Sequence, residues 1–323
     1  MNTSKMMFFT IVIISTLIVI NSSNWLSMWM GLEINLMTFI PMISENNNKK
    51  ISQSMMIYFL IQSIGSMILM FSLLLSTFVS VSPTLSSNMM ILNMSLLLKL
   101  GAAPFHNWLP EMFNNMNWYK MFMLMTWQKV APIYMLSNMK LTMIIPLSIM
   151  LSSIIGAIGG LNLTSLRKIM AYSSINHLSW ILFMMFNQTQ WFKYLFIYSI
   201  MMLLMMIFLN KYNSFNINQL MSKMPSFTEK LTFSTMLLSM GGMPPFLGFL
   251  PKWMAIQSNI NLLFMLMPMI MMSMITLFYY MRMISAMMLL YSATNKWFKT
   301  YNYNINYMYM NLLMPLLLIF SIN

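Results

Sequence analysis

Cysteine and aspartate are both absent from this chain of 323 residues. Without a thiol there is no disulfide, no iron–sulfur ligation and no covalent haem attachment. Only two histidines occur, His106 and His177, 71 positions apart. They are too few for a bis-histidine haem pair plus anything else. Charge is equally scarce. Charged residues make up 7% of the chain against ~25% in soluble domains, while 59% are hydrophobic. No Walker lysine motif, dinucleotide glycine cluster, metal-ligand spacing or nucleophile elbow occurs. The chain carries no visible redox or hydrolytic chemistry of its own.

What it has instead is apolar length. Runs of about 16 to 27 residues follow one another almost without pause, and a helix needs ~20 to cross a bilayer. They fall at 6–21, 25–44, 53–79, 85–103, 119–138, 141–162, 165–188, 190–209, 229–250, 259–285 and 305–322. Lipid offers no water to an open sheet edge, so the pattern predicts an all-α polytopic membrane protein with about 11 transmembrane helices. The first run has only Lys5 before it and no small-residue cleavage site after it, so it is expected as a mature helix rather than a signal peptide. Methionine supplies 49 residues, spread over every run. A code that reads AUA as Met, as in most animal mitochondria, explains this better than a Met-lined binding surface.

The net charge of +13 belongs to loops. With Lys99, Lys129 and Lys252 set aside as intramembrane, the N-terminus and even-side loops hold twelve cations: Lys5, Lys49, Lys50, Lys120, Arg167, Lys168, Lys211, Lys223, Lys230, Arg282, Lys296 and Lys299. The opposite side holds Lys140 and Lys193. That bias predicts a matrix-facing N-terminus, and a miscounted helix would scramble it. Scattered in this way, the charges suit orientation and anionic lipid head groups, cardiolipin being the expected lipid, and not nucleic acid. Trp297, Phe298, Tyr301 and Tyr303 are expected to form an interfacial aromatic belt.

Two of the runs carry the same interruption. Gly101-Ala-Ala-Pro-Phe-His-Asn-Trp-Leu-Pro-Glu111 returns 141 positions later as Gly242-Met-Pro-Pro-Phe-Leu-Gly-Phe-Leu-Pro-Lys252. Paired Gly/Pro-broken membrane segments in two halves are a pointer to a transport pathway between inverted repeats. The copies lie five crossings apart, an odd number, so the second should run in the opposite sense. The expected organisation is a single membrane domain with a first five-helix repeat at 6–138, an inverted second repeat at 141–285 and a final helix at 305–322.

The candidate ion-carrying residues are the ionisable groups inside these runs, since a charge there costs a few kcal/mol and by default marks a path. Glu33 is the only carboxylate expected inside the membrane, Lys99 precedes the first break, and Lys129 is at the centre of the fifth span. Burial disfavours the charged ammonium and a neighbouring carboxylate favours it. At ~4 Å and an effective dielectric near 20 such a pair is worth about 4 kcal/mol. Moving one charge across ~150 mV costs roughly 3.5 kcal/mol, so making or breaking the pair could move a proton against the potential. The bland alternative is an ion pair that only fixes helix register. His106 and His177 are candidate relays, His177 with Ser173 one turn away; a hydrogen bond to a neighbouring helix is the alternative for each. Lys252 could pass a proton out or snorkel to the interface. Glu111 is expected in a loop, which leaves the second half without a membrane carboxylate.

Five motifs carry a family resemblance. Trp-Met-Gly-Leu-Glu33-Ile-Asn, Leu-Lys99-Leu-Gly-Ala-Ala-Pro-Phe-His106-Asn-Trp and Thr-Trp-Gln-Lys129-Val-Ala-Pro stand in the first half. Leu-Arg167-Lys168-Ile-Met-Ala-Tyr-Ser-Ser-Ile-Asn-His177 and Pro-Pro-Phe-Leu-Gly-Phe-Leu-Pro-Lys252-Trp stand in the second. From about Trp25 to Arg282 the chain resembles the antiporter-like subunits of mitochondrial respiratory complex I, most closely the insect forms. The resemblance implies discontinuous helices at spans four and nine. It implies proton translocation across the mitochondrial inner membrane, powered by NADH oxidation and ubiquinone reduction elsewhere. NADH, FMN, the iron–sulfur clusters and ubiquinone would then belong to other subunits. The family's membrane glutamate matches Glu33, its axial lysines match Lys99, Lys129 and Lys252, and its polar-axis histidines match His106 and His177. Implied partners are the other membrane-arm subunits, including a neighbouring antiporter-like chain. Two further readings stand beside it: a free-standing cation/proton antiporter, and a structural membrane-arm subunit with no path of its own.

Overall fold

Apolar residues surround most of these segments on all sides instead of lining one stripe, and the backbone answers with helices throughout. The structure is a computed structural model and describes residues 3–45, 48–78, 85–139, 142–224 and 227–289. In chain order the helices are α1 (Thr3–Asn21), α2 (Trp25–Ile43), α3 (Lys49–Phe78), α4 (Leu85–Leu100), α5 (Trp108–Asn115), α6 (Trp118–Met125) and α7 (Trp127–Ser137). There follow α8 (Ile144–Ile158), α9 (Leu166–Phe186), α10 (Trp191–Tyr212), α11 (Ile217–Lys223), α12 (Phe227–Gly241), α13 (Phe249–Ser258) and α14 (Leu263–Leu289). Two compact units result, Met1–Ser152 and Ser153–Asn323.

Among the described residues, six helices are long and apolar enough to cross a membrane by length and composition: α1, α2, α3, α9, α10 and the segment containing α14. Side chains such as Phe264, 85% exposed, and Met143, 83% exposed, face outward where a soluble protein would place polar groups. The eleventh expected span, the aromatic belt at Trp297 to Tyr303, and Lys140, Lys296 and Lys299 lie outside the described residues.

In the first unit α1 packs along α2, where Gly31 lets Val19 approach closely; an added Cβ would stand 2.6 Å from Val19 Cγ2. α3 packs on α2, α4 and α5, and Trp29 of α2 donates to the Ser66 carbonyl of α3 at 3.3 Å. Lys120, expected as a loop orientation charge, is instead buried. Its ammonium bonds Glu45 at 2.6 Å and the Ile43 carbonyl at the end of α2, where a cation suits the helix C-terminus. Two other cations expected in loops stand on helices and likewise bond carbonyls. Lys223 bonds the Tyr212 and Asn213 carbonyls at 2.8 and 2.9 Å, and Arg282 those of Leu161 and Leu163.

In the second unit α9 is the central helix, with 89% of its most apolar stretch buried against 22% for α1. Its polar residues Ser173, Ser174, Asn176, His177 and Ser179 are all buried. Gly156 of α8 lies against the Asn176 backbone, and Gly160 lies under the Tyr279 ring.

The expected interruptions form at both places. α4 ends at Gly101, φ +70°, and α12 at Gly242, φ +78°, a conformation that favours glycine. After α4 the amides of Gly101 and Ala102 bond the carbonyls of Leu98 and Leu97; after α12 those of Gly242 and Met243 bond Ser239 and Leu238. Each is a Schellman turn, and every donor and acceptor in one has its counterpart 141 positions along in the other. The peptide bonds before Pro104 and Pro245 are both cis. Span 119–138 departs from expectation. Thr126, with its hydroxyl bonded to the Phe122 carbonyl at 2.7 Å, interrupts it between α6 and α7, as back-bonding threonines bend helices.

Candidate proton-transfer site

Lys99 occupies the last turn of α4, immediately before the break, and Lys129 the first turn of α7, immediately after its own. They are 6% and 3% exposed. Both line one small cavity inside the first unit, together with Asn35, Tyr58, Gln62 and Gln128 and the apolar Leu32, Leu36, Leu100, Trp108, Leu124 and Pro132. The cavity offers about 20 Å³ to water centres, room for one molecule.

Local sequence builds this wall. Gly65 of α3 leaves space for the lysine stem, since a Cβ there would meet Lys99 Cγ at 3.0 Å. Gln62, one turn earlier, donates to the Lys99 carbonyl at 3.1 Å. Pro132 has no amide to give the Gln128 carbonyl four residues back, which frees that acceptor from the helical ladder. The Gln128 side chain donates to Asn35 Oδ1 at 2.9 Å, and its oxygen faces the Tyr58 hydroxyl at 3.5 Å. α2, α3, α4 and α7 thus converge on the two lysines through amides and one phenol.

Glu33 is half-buried on α2 and acts on Lys99 electrostatically. It is not in contact. Glu33 and Lys99 make no ion pair within 4.0 Å, so the expected pair at ~4 Å does not form. The reason is helical register. The cavity face of α2 is Leu32, Asn35 and Leu36, and Glu33 lies about 100° round from Leu32. The amides Asn35, Gln62 and Gln128 therefore line the cavity with the lysines, and the carboxylate does not.

His106 is half-buried in the break, its Nδ1 3.1 Å from the Pro104 carbonyl, and does not line the cavity. Glu111 is exposed but helical, in the first turn of α5.

In the second unit Lys252 of α13 folds back over the second break. Its ammonium donates to the Gly241 carbonyl at 2.7 Å, and a Cβ on Gly242 would meet its Nζ and Cδ at 2.9 Å. At 6% exposure it is held by a helix end rather than snorkelling. His177 is 2% exposed and its Nδ1 lies 3.0 Å from the Tyr194 hydroxyl, with the Tyr198 ring centred 4.8 Å away. Ser173, one turn away, bonds the Met170 carbonyl.

Sequence reading missed Asn35, Tyr58, Gln62 and Gln128. Two of them sit inside motifs that had drawn attention for the charged neighbour alone: Asn35 beside Glu33, Gln128 beside Lys129.

A family profile described as "NADH:quinone oxidoreductase/Mrp antiporter, TM" matches residues 22–278. A chain of respiratory complex I from Thermus thermophilus superimposes with a TM-score of 0.83 at 18% identity, covering 97% of this chain and 78% of that one. A chain of the Mrp complex from Dietzia sp. gives 0.72 at 14% identity, covering 85% and 59%. Broken helices with lysines buried at the breaks, in this fold, define an antiporter-like membrane subunit. NADH-ubiquinone oxidoreductase chain 2 of Anopheles gambiae is 42% identical over 93% of this chain and 91% of its own length. That of Locusta migratoria is 40% identical over 94% and 91%, and that of Loxodonta africana 39% over 88% and 86%. The chain belongs to the NADH-ubiquinone oxidoreductase chain 2 family.

Proposed function

We propose that this chain is a core membrane subunit of respiratory complex I in the mitochondrial inner membrane. It translocates protons, driven by NADH oxidation and ubiquinone reduction at cofactors held by other subunits. The observation that carries the reading is the cavity where Lys99 and Lys129, from two separately broken helices, meet Asn35, Tyr58, Gln62 and Gln128. Buried amines that exchange a proton through one water are what a relay requires, and a structural ion pair would not need the second lysine or the space.

In this reading Glu33 tunes Lys99 from beside the cavity, Lys129 receives the proton, and His106, His177 and Lys252 continue the polar path. The matching Schellman turns at Gly101 and Gly242 support two repeats, 6–138 and 141–285, of inverted sense, with a further helix at 305–322 and about eleven crossings in all. Loop-charge bias places the N-terminus in the matrix. The partners are other membrane-arm subunits, including a neighbouring antiporter-like chain, and anionic lipid such as cardiolipin; no nucleic acid is involved.

A double-mutant cycle on intact complex tests it. Glu33→Gln and Lys99→Met are each expected to lower quinone-coupled NADH oxidation, and the double variant to be no worse than Lys99→Met alone, because groups acting as one unit are non-additive. Independent, multiplying losses would separate Glu33 from the lysine and undo this assignment.

A further inference from the structure

The second unit contains a carboxylate that its apolar run conceals. Glu229, in the first turn of α12, is 4% exposed, and Lys230 beside it is 2% exposed. Lys211, in the last turn of α10, lies within electrostatic reach of Glu229. By sequence alone the second half has no membrane carboxylate, because Glu229 stands at the edge of the 229–250 run, where loop charges also stand. The helix brings it inside the protein.

From Glu229 a file of hydroxyls climbs α12. Thr232, Thr235 and Ser239 are 7%, 8% and 2% exposed, and together with Glu229 they share an arc of about 120° at 100° per residue. Each hydroxyl donates to its own helix, to the Glu229, Thr232 and Met236 carbonyls in turn, at 2.7–2.9 Å. Their oxygens keep lone pairs for a second partner. The file ends at the break, where the Lys252 ammonium sits on the Gly241 carbonyl. Glu229 and the break are separated by roughly 18 Å of helix, twelve residues at 1.5 Å. The same offset that pairs the two breaks places Glu229 on Asn88, buried in the first turn of α4, and Lys252 on the exposed Glu111. The first half therefore keeps its lysine before the break, and the second half keeps its lysine after the break with a carboxylate at the far end of the preceding helix.

We propose that Glu229 is the proton-exchange carboxylate of the second half, passing protons to Lys252 along the Thr232–Thr235–Ser239 face of α12. The carboxylic acid releases its proton to the nearest water-bridged hydroxyl. Each hydroxyl accepts one proton and gives up another, and the neutral amine of Lys252 becomes ammonium at the end. The carboxylate left behind is reprotonated from the aqueous side beside Lys211. Successive hydroxyls about one turn apart are within the span of a single bridging water.

This inference rests on the proton-translocation reading, and the experiment separates the two. Glu229→Gln, Glu229→Asp, Thr235→Val and Lys252→Met are compared in intact, reconstituted complex, with Glu111→Gln as a control. The readouts are proton pumping, quinone-coupled turnover per assembled complex, and the solvent deuterium isotope effect. Glu229→Gln is expected to cut turnover and pumping roughly tenfold, with a raised isotope effect. Thr235→Val should follow it in part, Glu229→Asp should recover most of the loss, and Glu111→Gln should be unchanged. If Lys252→Met is impaired while Glu229→Gln or Thr235→Val stays at wild-type turnover, this route is wrong and the wider reading survives. If Lys252→Met is also at wild-type levels, translocation through this half fails first. A Glu229→Gln variant that assembles poorly but turns over normally per complex assigns Glu229 to helix-end stability and overturns the proposal.

Discussion

Lys129→Met is expected to lower quinone-coupled NADH oxidation roughly tenfold in fully assembled complex, with pumping lost in step. Lys129 is 3% exposed and shares its cavity with Lys99, so methionine fills nearly the same volume and removes only the amine. A packing role would therefore leave the rate intact. Lys129→Arg sharpens the distinction. Arginine keeps the charge but does not release its proton, so a relay fails with it while a charge needed only for register is preserved. Turnover in Lys129→Arg close to that of Lys129→Met is the expected result, measured per assembled complex. Wild-type turnover in the arginine variant would mean that Lys129 contributes charge and not transfer.

Gly248→Ala is expected to destabilise the subunit by about 3 kcal/mol or more, at or above the top of the usual range for overpacking. Its Cβ would collide with the Ser239 carbonyl oxygen, stand 2.8 Å from that carbonyl carbon and 3.1 Å from Met201 Sδ. The obstacle is backbone of α12 and cannot swing aside as a side-chain tip would. α13 would have to move off α12, carrying Lys252 away from the Gly241 carbonyl it bonds at 2.7 Å. The measurement is the yield and thermal midpoint of assembled complex. An unchanged midpoint would show that the close approach of α13 to α12 is dispensable.

The parts of this molecule that could be read from sequence are those where a residue contradicts its surroundings. Lysine in an apolar run, or Gly and Pro in a helix that ought to continue, costs free energy that something must offset, and Lys99, Lys129, Gly101 and Gly242 stand out for that reason. Neutral polar residues send no such signal. Gln62 and Asn35 look like ordinary polar positions until α3 and α2 bring them to partners 37 and 93 positions away in the chain. The Thr126 interruption was hidden similarly, because threonine is only mildly unfavourable in a helix. Glu33 misled in the other direction. A carboxylate near the middle of a run suggests a contact pair with lysine, but contact depends on helical phase, and α2 turns Asn35 to the cavity instead.

Charge at run ends was the hardest to interpret. Lys120, Lys230 and Glu229 sit where orientation charges also sit, and only burial distinguishes them: 9%, 2% and 4% exposed. Lys120 proves to clamp α2 through Glu45 and the Ile43 carbonyl, which holds the helix bearing Glu33 and Asn35 against α6.

In the proposed function Lys99 lies on a path obligatorily coupled to the redox reaction. Its most direct test is protons pumped per NADH oxidised, with quinone-reductase turnover recorded alongside, in reconstituted complex carrying Lys99→Met. Turnover and pumping are both expected to fall while assembly holds. Turnover and pumping both at wild-type levels would contradict it, and would make the buried lysines of this subunit structural.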